Sequence, residues 1–229
     1  MNLTAAQKSL IERIVNVFET GTPDGDYAAI TIFNDGPHNM PQITYGRSQT
    51  TEFGNLGQLV RMYVNANGLF SDQLRPFAAR TGQEILTDNA EFKGLLRSAG
   101  REDPIMRRIQ DQFFDQAYFQ PAMQWADNHQ FTLPLSALVI YDSFIHSGGM
   151  LSVIRNTFPE VTPDRGGNEK LWLTAYINAR QNFLAGSHRA VVRRTVYRTK
   201  CLMDEVNREN WDLSVVPVIA NGVKVSPAA

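Results

Sequence analysis

The chain has 229 residues, 43% of them hydrophobic and 20% charged, with a net charge of −1 and a pI of about 6.4. That is enough apolar material for a sizeable core, without the basic excess that nucleic-acid binding requires; the one basic cluster, Arg189, Arg193, Arg194, Arg198 and Lys200, reads as a solvated or cleft-facing helix surface. A single cysteine, Cys201, excludes an internal disulfide and a cysteine-based zinc site, His38, His129, His146 and His188 lack metal-ligand spacing, and no apolar run approaches a membrane span. The chain is therefore expected to need no metal or organic cofactor and to have no nucleic-acid or membrane partner. Its N-terminus has neither a basic n-region nor a continuous apolar h-region, which fits a secreted mature form whose signal is gone, or a cytosolic product delivered as a phage lysin or effector.

Thr4, followed three residues later by Gln7, opens the first helix, and Gly21 before Thr22-Pro23-Asp24-Gly25 closes it, so the pattern predicts a helix from about Ala5 to Thr20. Its apolar row Leu10, Ile11, Ile14, Val15 and Phe18 is followed by Glu19, four residues beyond Val15 and on the same face. A carboxylate on a largely buried face at the negative end of a helix is expected to have a raised pKa, as a general acid working near neutral pH needs. Next, Tyr27 to Phe33 is β-branched and aromatic, Asn34-Asp35-Gly36-Pro37 is turn chemistry, and Gln42 to Gly46 is a returning strand. This predicts a hairpin over about 27–46 with Asp35 at its mouth. Glu19, Asp35 and the hydroxyl of Thr44 would then converge on one cleft, and paired carboxylates with opposed pKa values are the machinery of glycoside hydrolysis. Taken singly, Glu19 could equally turn into water at a frayed helix end, and Asp35 could form an ordinary Asx turn.

Beyond the hairpin the chain reads as nearly all helix. Leu56, Leu59, Val60, Tyr63 and Val64 have helical spacing up to Asn67-Gly68; helices over 70–79 and 89–99 follow, with Gly82 and Gly100 as stops. Pro104 opens a long helical stretch that continues through Pro121 to Asn128. Leu135 to Ile145, opened by Pro134 and closed by Gly148-Gly149, is apolar on most sides, as a central core helix should be, yet it holds Asp142 in its middle. The helix after Gly166-Gly167-Asn168-Glu169 carries Arg180 in the row Leu173, Ile177, Leu184. A buried acid is costly without a partner, so Asp142 and Arg180 are expected to satisfy each other, either as a core ion pair or as support for a further arginine, Arg189, set against the catalytic carboxylates. The tail from Val215 to Ala229 reads as an irregular apolar strap.

Taken in order, the helix ending in Glu19, the strand before Asp35-Gly36, Thr44-Tyr45-Gly46, Tyr118-Phe119-Gln120-Pro121-Ala122, Tyr141-Asp142-Ser143-Phe144-Ile145-His146-Ser147-Gly148, Gly166-Gly167-Asn168-Glu169 and Ile177-Asn178-Ala179-Arg180 resemble the glycoside hydrolase family 46 chitosanases over almost the whole chain. The resemblance implies a mostly α, lysozyme-like (α+β) fold: one catalytic domain over 1–229, with two helical lobes, a small β-hairpin in the N-terminal lobe and a substrate cleft between them. It also implies an endo-acting, inverting hydrolase of β-1,4-linked amino sugars, in which Glu19 is the general acid, Asp35 the general base and Thr44 the hydroxyl that helps hold the attacking water. Inversion of this kind needs the two carboxyl groups roughly 6.5–9.5 Å apart or more. Asp142 and Arg180 match the family's buried charge network, with Arg189 expected as its third member and Arg193 or Arg194 as alternatives. Tyr45, Arg47 and Asn55 are the expected substrate-binding residues.

Two departures from the family pattern bear on substrate. The loop from Asp35 to Thr44 is longer than the family's Asp-Gly-Arg-Gly-Tyr-Thr run and lacks its arginine, so Asp35 needs another partner. Asn55 stands where these chitosanases carry an aspartate for a glucosamine amine. Chitosan is a polycation, and a net charge of −1 shows no strong carboxylate lining, although Asp24, Asp26, Asp35 and Glu52 offer a local acidic strip. Chitosan is the first expected substrate; peptidoglycan, which has the same β-1,4 amino-sugar backbone, is the alternative and would make the protein a lysozyme-type muramidase. A catalytically silent carbohydrate-binding protein is the third reading. Trp125, Trp172, Trp211, Tyr45 and Tyr63 could stack on sugars in any of these, though such rings more often belong to a core. The protein is expected to act on its polysaccharide as a monomer.

Overall fold

The computed structural model describes residues 1–47 and 49–228. Helix α1 (Ala5–Thr20) has the boundaries its caps dictate. Gln7 N donates to Thr4 Oγ1 at 3.2 Å and Thr4 N donates to Gln7 Oε1 at 2.9 Å, so two end donors are satisfied reciprocally. Gly21 stops the helix in the left-handed region, at φ 78°, with its N–H on Val17 O.

An antiparallel sheet follows, ordered β1 (Ile30–Phe33), β2 (Gln42–Tyr45) and β3 (Thr50–Thr51). Ile30 pairs with Tyr45 and Thr31 with Thr44. The third strand has two residues, too few to leave a periodic signal in the sequence. A π-turn over Glu52–Leu56 then leads into α2 (Gly57–Asn65), followed by α3 (Ser71–Ala78), α4 (Ala90–Glu102) and α5 (Pro104–Phe114). Helix α4 runs through Gly100, which the sequence reads as a stop. The glycine serves close approach instead: a Cβ there would lie 2.3 Å from the carbonyl oxygen of Tyr27.

A second π-turn, Asp115–Phe119, separates α5 from α6 (Gln120–Asn128). The backbone nevertheless stays helical without a break from Pro104 to Asn128, as expected, and the π-turn falls just before Pro121, whose missing N–H would interrupt a regular α-helical ladder. Helix α7 (Pro134–Ser147) is buried without interruption from Leu135 to Ser143, and the carboxylate of Glu169 caps its start by accepting from Thr132 N, Leu133 N and Ser136 Oγ at 2.7–2.9 Å. After it come α8 (Ser152–Arg155), α9 (Glu169–Ala185), α10 (Ala190–Arg193) and α11 (Tyr197–Asn207). The tail is a hairpin rather than an irregular strap: β4 (Val218–Ala220) pairs with β5 (Val223–Val225), and Val218, Ala220 and Val225 are buried. Its last residue, Ala229, lies outside the described residues.

The chain forms two compact units: Met1–Pro23 together with the chain from Gln116 onward, and Asp24–Asp115. The core of the first gathers Leu10, Ile11, Ile14 and Val15 of α1, Leu138 and Val139 of α7, and Trp172 with Tyr176 of α9, whose rings stack at 5.2 Å. In the second, Tyr45, Tyr63, Leu74, Phe92, Leu96 and Phe113 are fully buried. The class is the expected one, mostly helical with a small antiparallel sheet in the N-terminal part.

Candidate active site

Glu19 lies in the last turn of α1, its side chain 11% exposed, and its Oε1 accepts from Arg198 Nη2 at 2.6 Å. The same guanidinium donates through Nη1 to Asp142 Oδ1 at 2.6 Å and through Nη2 to the carbonyl of Phe18 at 3.2 Å. Tyr197 Oη donates to that carbonyl as well, at 2.7 Å, so α11 satisfies an orphan acceptor at the end of α1. Asp142 Oδ2 accepts from Arg180 Nη1 at 2.6 Å. The result is an alternating row, Glu19, Arg198, Asp142, Arg180, with as many carboxylates as guanidinium groups and each side chain largely or wholly buried.

Burial dominates the electrostatics at Glu19 and pushes its carboxyl up; the Arg198 charge pulls it down, and the Asp142 charge adds to the upward push. Asp142, fully buried, moves the other way. Desolvation opposes its charge, but Arg180 and then Arg198 overcome it and hold the group at about 2. Arg198 is stabilised as a cation by Glu19 and Asp142 despite its burial. His146, one turn after Asp142 and 3.4 Å from Arg180 Nη2, is driven down to about 3 by burial and the two guanidinium charges, so it is a neutral imidazole.

Arg189 is not the third member of this network. It is exposed at the start of α10, where its N–H donates to Ser187 Oγ, and the alternatives fare no better: Arg193 Nη1 donates to the carbonyls of Ser187 and His188, and Arg194 is exposed. Arg198 fills that place because α11 turns inward a row of Arg198, Cys201, Leu202 and Glu205.

Asp35 and Thr44 belong to the second unit. The long loop between them closes on itself, with Gly36 N donating to Met40 O at 3.0 Å, and a Cβ at Gly36 would meet that same oxygen at 2.9 Å. The closure returns the chain so that Gln42 Nε2 donates to Asp35 Oδ1 at 2.9 Å, while Gln42 Oε1 accepts from Phe53 N at 3.3 Å. Gln42 is thus the partner that the missing arginine leaves open, and no feature of the sequence singles it out. Thr44 is buried, and its hydroxyl meets those of its cross-strand partner Thr31 and the side-chain oxygen of Gln49.

Three expected surface groups are interior. Tyr45 is fully buried, with its hydroxyl donating to Leu96 O at 2.7 Å; Arg47 is 4% exposed, with Nε 2.7 Å from Asp111 Oδ1 and its guanidinium over the Phe114 ring. Tyr45, at the end of β2, and Arg47, two residues beyond it, are therefore turned into the protein and not toward a sugar. Glu52 also leaves the acidic strip: it points inward and accepts from Ile43 N at 2.9 Å and Leu86 N at 2.7 Å. Asn55 is exposed, as a substrate-binding residue must be. Of the aromatic candidates, Trp172 and Tyr63 are core, and Trp125 and Trp211 are half-buried.

A mostly helical chain with a small antiparallel sheet and a carboxyl of raised pKa at the end of its first helix is the frame of a glycoside hydrolase. The model of glycosyl hydrolase family 46 matches residues 13–217. A chitosanase of Bacillus subtilis (strain 168) is 28% identical over 229 residues, which cover 93% of this chain and 81% of that protein. A GH46 chitosanase of Gynuella sunshinyii, solved in complex with chitotetraose, and the native chitosanase of Bacillus subtilis MY002 each superpose with a TM-score of 0.81 at 24% identity, covering 100% of both chains. The chain belongs to glycosyl hydrolase family 46.

Proposed function

We propose that this enzyme is an endo-acting chitosanase that cleaves β-1,4 linkages of glucosamine polymers with inversion at the anomeric carbon. The observation that carries the reading is the opposition at Glu19: burial favours its protonated form, while Arg198 engages Oε1 and leaves Oε2 as the oxygen that holds the proton. In this reading Glu19 protonates the glycosidic oxygen. Asp35, oriented by Gln42, takes a proton from water, and Thr44 holds that water. Asp142 divides the charge of Arg198 so that Glu19 is positioned without being forced into its ionised form.

Asn55, an exposed amide where an amine-binding aspartate is expected, favours peptidoglycan as the second substrate to test. The experiment compares wild type with Glu19→Gln on chitosan of low acetylation and on purified peptidoglycan, with products read by mass spectrometry and fresh anomers by NMR. Chitosan oligomers of α configuration are expected, and the variant should lose turnover on the order of 10²–10⁴-fold. Muropeptides instead of chitosan oligomers would replace the substrate. New β anomers would overturn inversion, and an active Glu19→Gln would overturn the acid.

A further inference from the structure

Gln49 meets the two threonine hydroxyls in an arrangement that fixes their protons. It follows the turn after β2 with φ 52°, in the left-handed region that a non-glycine residue keeps only where its surroundings hold it. Its backbone N–H donates to Gly46 O at 3.1 Å, and its Nε2 donates to the same oxygen at 3.0 Å. The second bond decides which end of the amide faces the strands, so Oε1, which can only accept, is presented to the threonines. Thr31 Oγ1 lies 2.7 Å from that oxygen and Thr44 Oγ1 3.1 Å, and the two hydroxyls, on directly opposed residues of β1 and β2, are hydrogen-bonded to each other.

Each hydroxyl carries one proton. The three oxygens make three contacts, Thr31 with Thr44 and each of them with Gln49 Oε1, and the two hydroxyl protons are both taken up among these. Among the described residues, the further acceptor that Thr44 meets, Thr31 O at 3.3 Å, also lies inside the group. No proton is left over, so Thr44 can meet a water only with its lone pairs.

We infer that Gln49 is a positioning residue that makes Thr44 an acceptor toward the attacking water. The inference rests on the assignment of Thr44 as the group that holds this water. The water then gives one hydrogen bond to Thr44 and its other proton to the Asp35 carboxylate, and its oxygen lone pair is free to form the new bond to the anomeric carbon as the glycosidic bond breaks and Glu19 protonates the leaving oxygen. Without the amide oxygen, one hydroxyl proton is spare, Thr44 can donate to the water instead, and the water's lone pair turns away from the sugar.

The test is a double-mutant cycle on chitosan turnover with wild type, Gln49→Leu, Thr44→Ala and the double variant. Gln49→Leu is expected to lower kcat about tenfold, the factor one hydrogen bond of ordinary strength carries, with KM within a factor of about two. In the Thr44→Ala background the same change is expected to have no further effect. Gln49→Glu, which keeps an acceptor toward the threonines but loses the Nε2 donor to Gly46 O, is expected to recover part of the loss, which a folding defect would not allow. An equal loss from Gln49→Leu in both backgrounds, or an unaltered kcat in wild type beside a strong Thr44→Ala defect, overturns the role of Gln49 and leaves that of Thr44 standing. A fully active Thr44→Ala overturns the assignment of Thr44 and this inference with it.

Discussion

Arg198 serves Glu19, Asp142 and the Phe18 carbonyl at once, and its removal would leave two buried carboxylates facing each other. Arg198→Ala is expected to cost roughly 3–5 kcal/mol in denaturant unfolding and to remove activity. Arg198→Lys should recover little, since a single ammonium cannot present a planar fork to three acceptors. Arg189→Ala is the control and should stay within about 0.5 kcal/mol of wild type; a large loss there would return it to the network. The contrast shows what the sequence makes legible at this scale. Asp142 and Arg180 stand out as charges in otherwise apolar helical rows. Arg198 does not, because Arg193, Arg194 and Lys200 surround it with cations that face water. Its signal is the row it shares with Cys201, Leu202 and Glu205, where position on the helix, not residue type, separates the buried arginine from its neighbours. Tyr45 is misjudged because at a strand buried on both faces alternation carries no information about which side chain meets solvent, and Arg47, just past that strand, because its partners Asp111 and Phe114 lie far along the chain.

Helix α4 holds two glycines in opposite circumstances. Gly94 is exposed, with nothing within 4 Å of an added Cβ, so Gly94→Ala is expected to stabilise the protein by roughly 0.5–1 kcal/mol. Gly100 is buried against the Tyr27 carbonyl, and Gly100→Ala is expected to destabilise by roughly 1–3 kcal/mol despite the better helix propensity. Thermal melts of the pair should move in opposite directions; a common direction would mean that the Tyr27–Ala28 backbone yields to the methyl. Elements with end signals are the legible ones. Thr4 and Gln7 give the start of α1, Pro134 that of α7, and Asn168, whose Oδ1 accepts from Leu171 N, that of α9. The two π-turns and β3 carry no such signal, since each is set by the packing on either side of it. Gly100 imitates a stop because close approach and helix termination call for the same residue.

In the molecule as a whole, the first unit is closed by both ends of the chain: α1 packs with α7, β4 and β5, and Ala228 N donates to Ser9 Oγ at 3.0 Å. Its stability has an acid limit that Asp142 sets. The folded pKa of about 2 lies below the unfolded value of roughly 3.9, so the stabilisation is whole above about pH 4 and is lost as pH falls toward 2. Denaturation between those values should be steeper in wild type than in Asp142→Asn; equal slopes would place the acid sensitivity elsewhere. That the second unit is inserted between Pro23 and Gln116 is only half legible in the sequence: Thr22-Pro23-Asp24-Gly25 marks the first junction, but the second lies inside a π-turn with no linker composition. The inserted unit accounts for about half of the chain between Glu19 and Arg198, which lie 179 residues apart. On a ribosome adding about 5–20 residues per second, that is roughly 10–35 s during which the glutamate exists without its arginine. The order of synthesis thus sets the acid first and the cation that orients it nearly last, so the row from Glu19 to Arg180 is completed only when α11 is added.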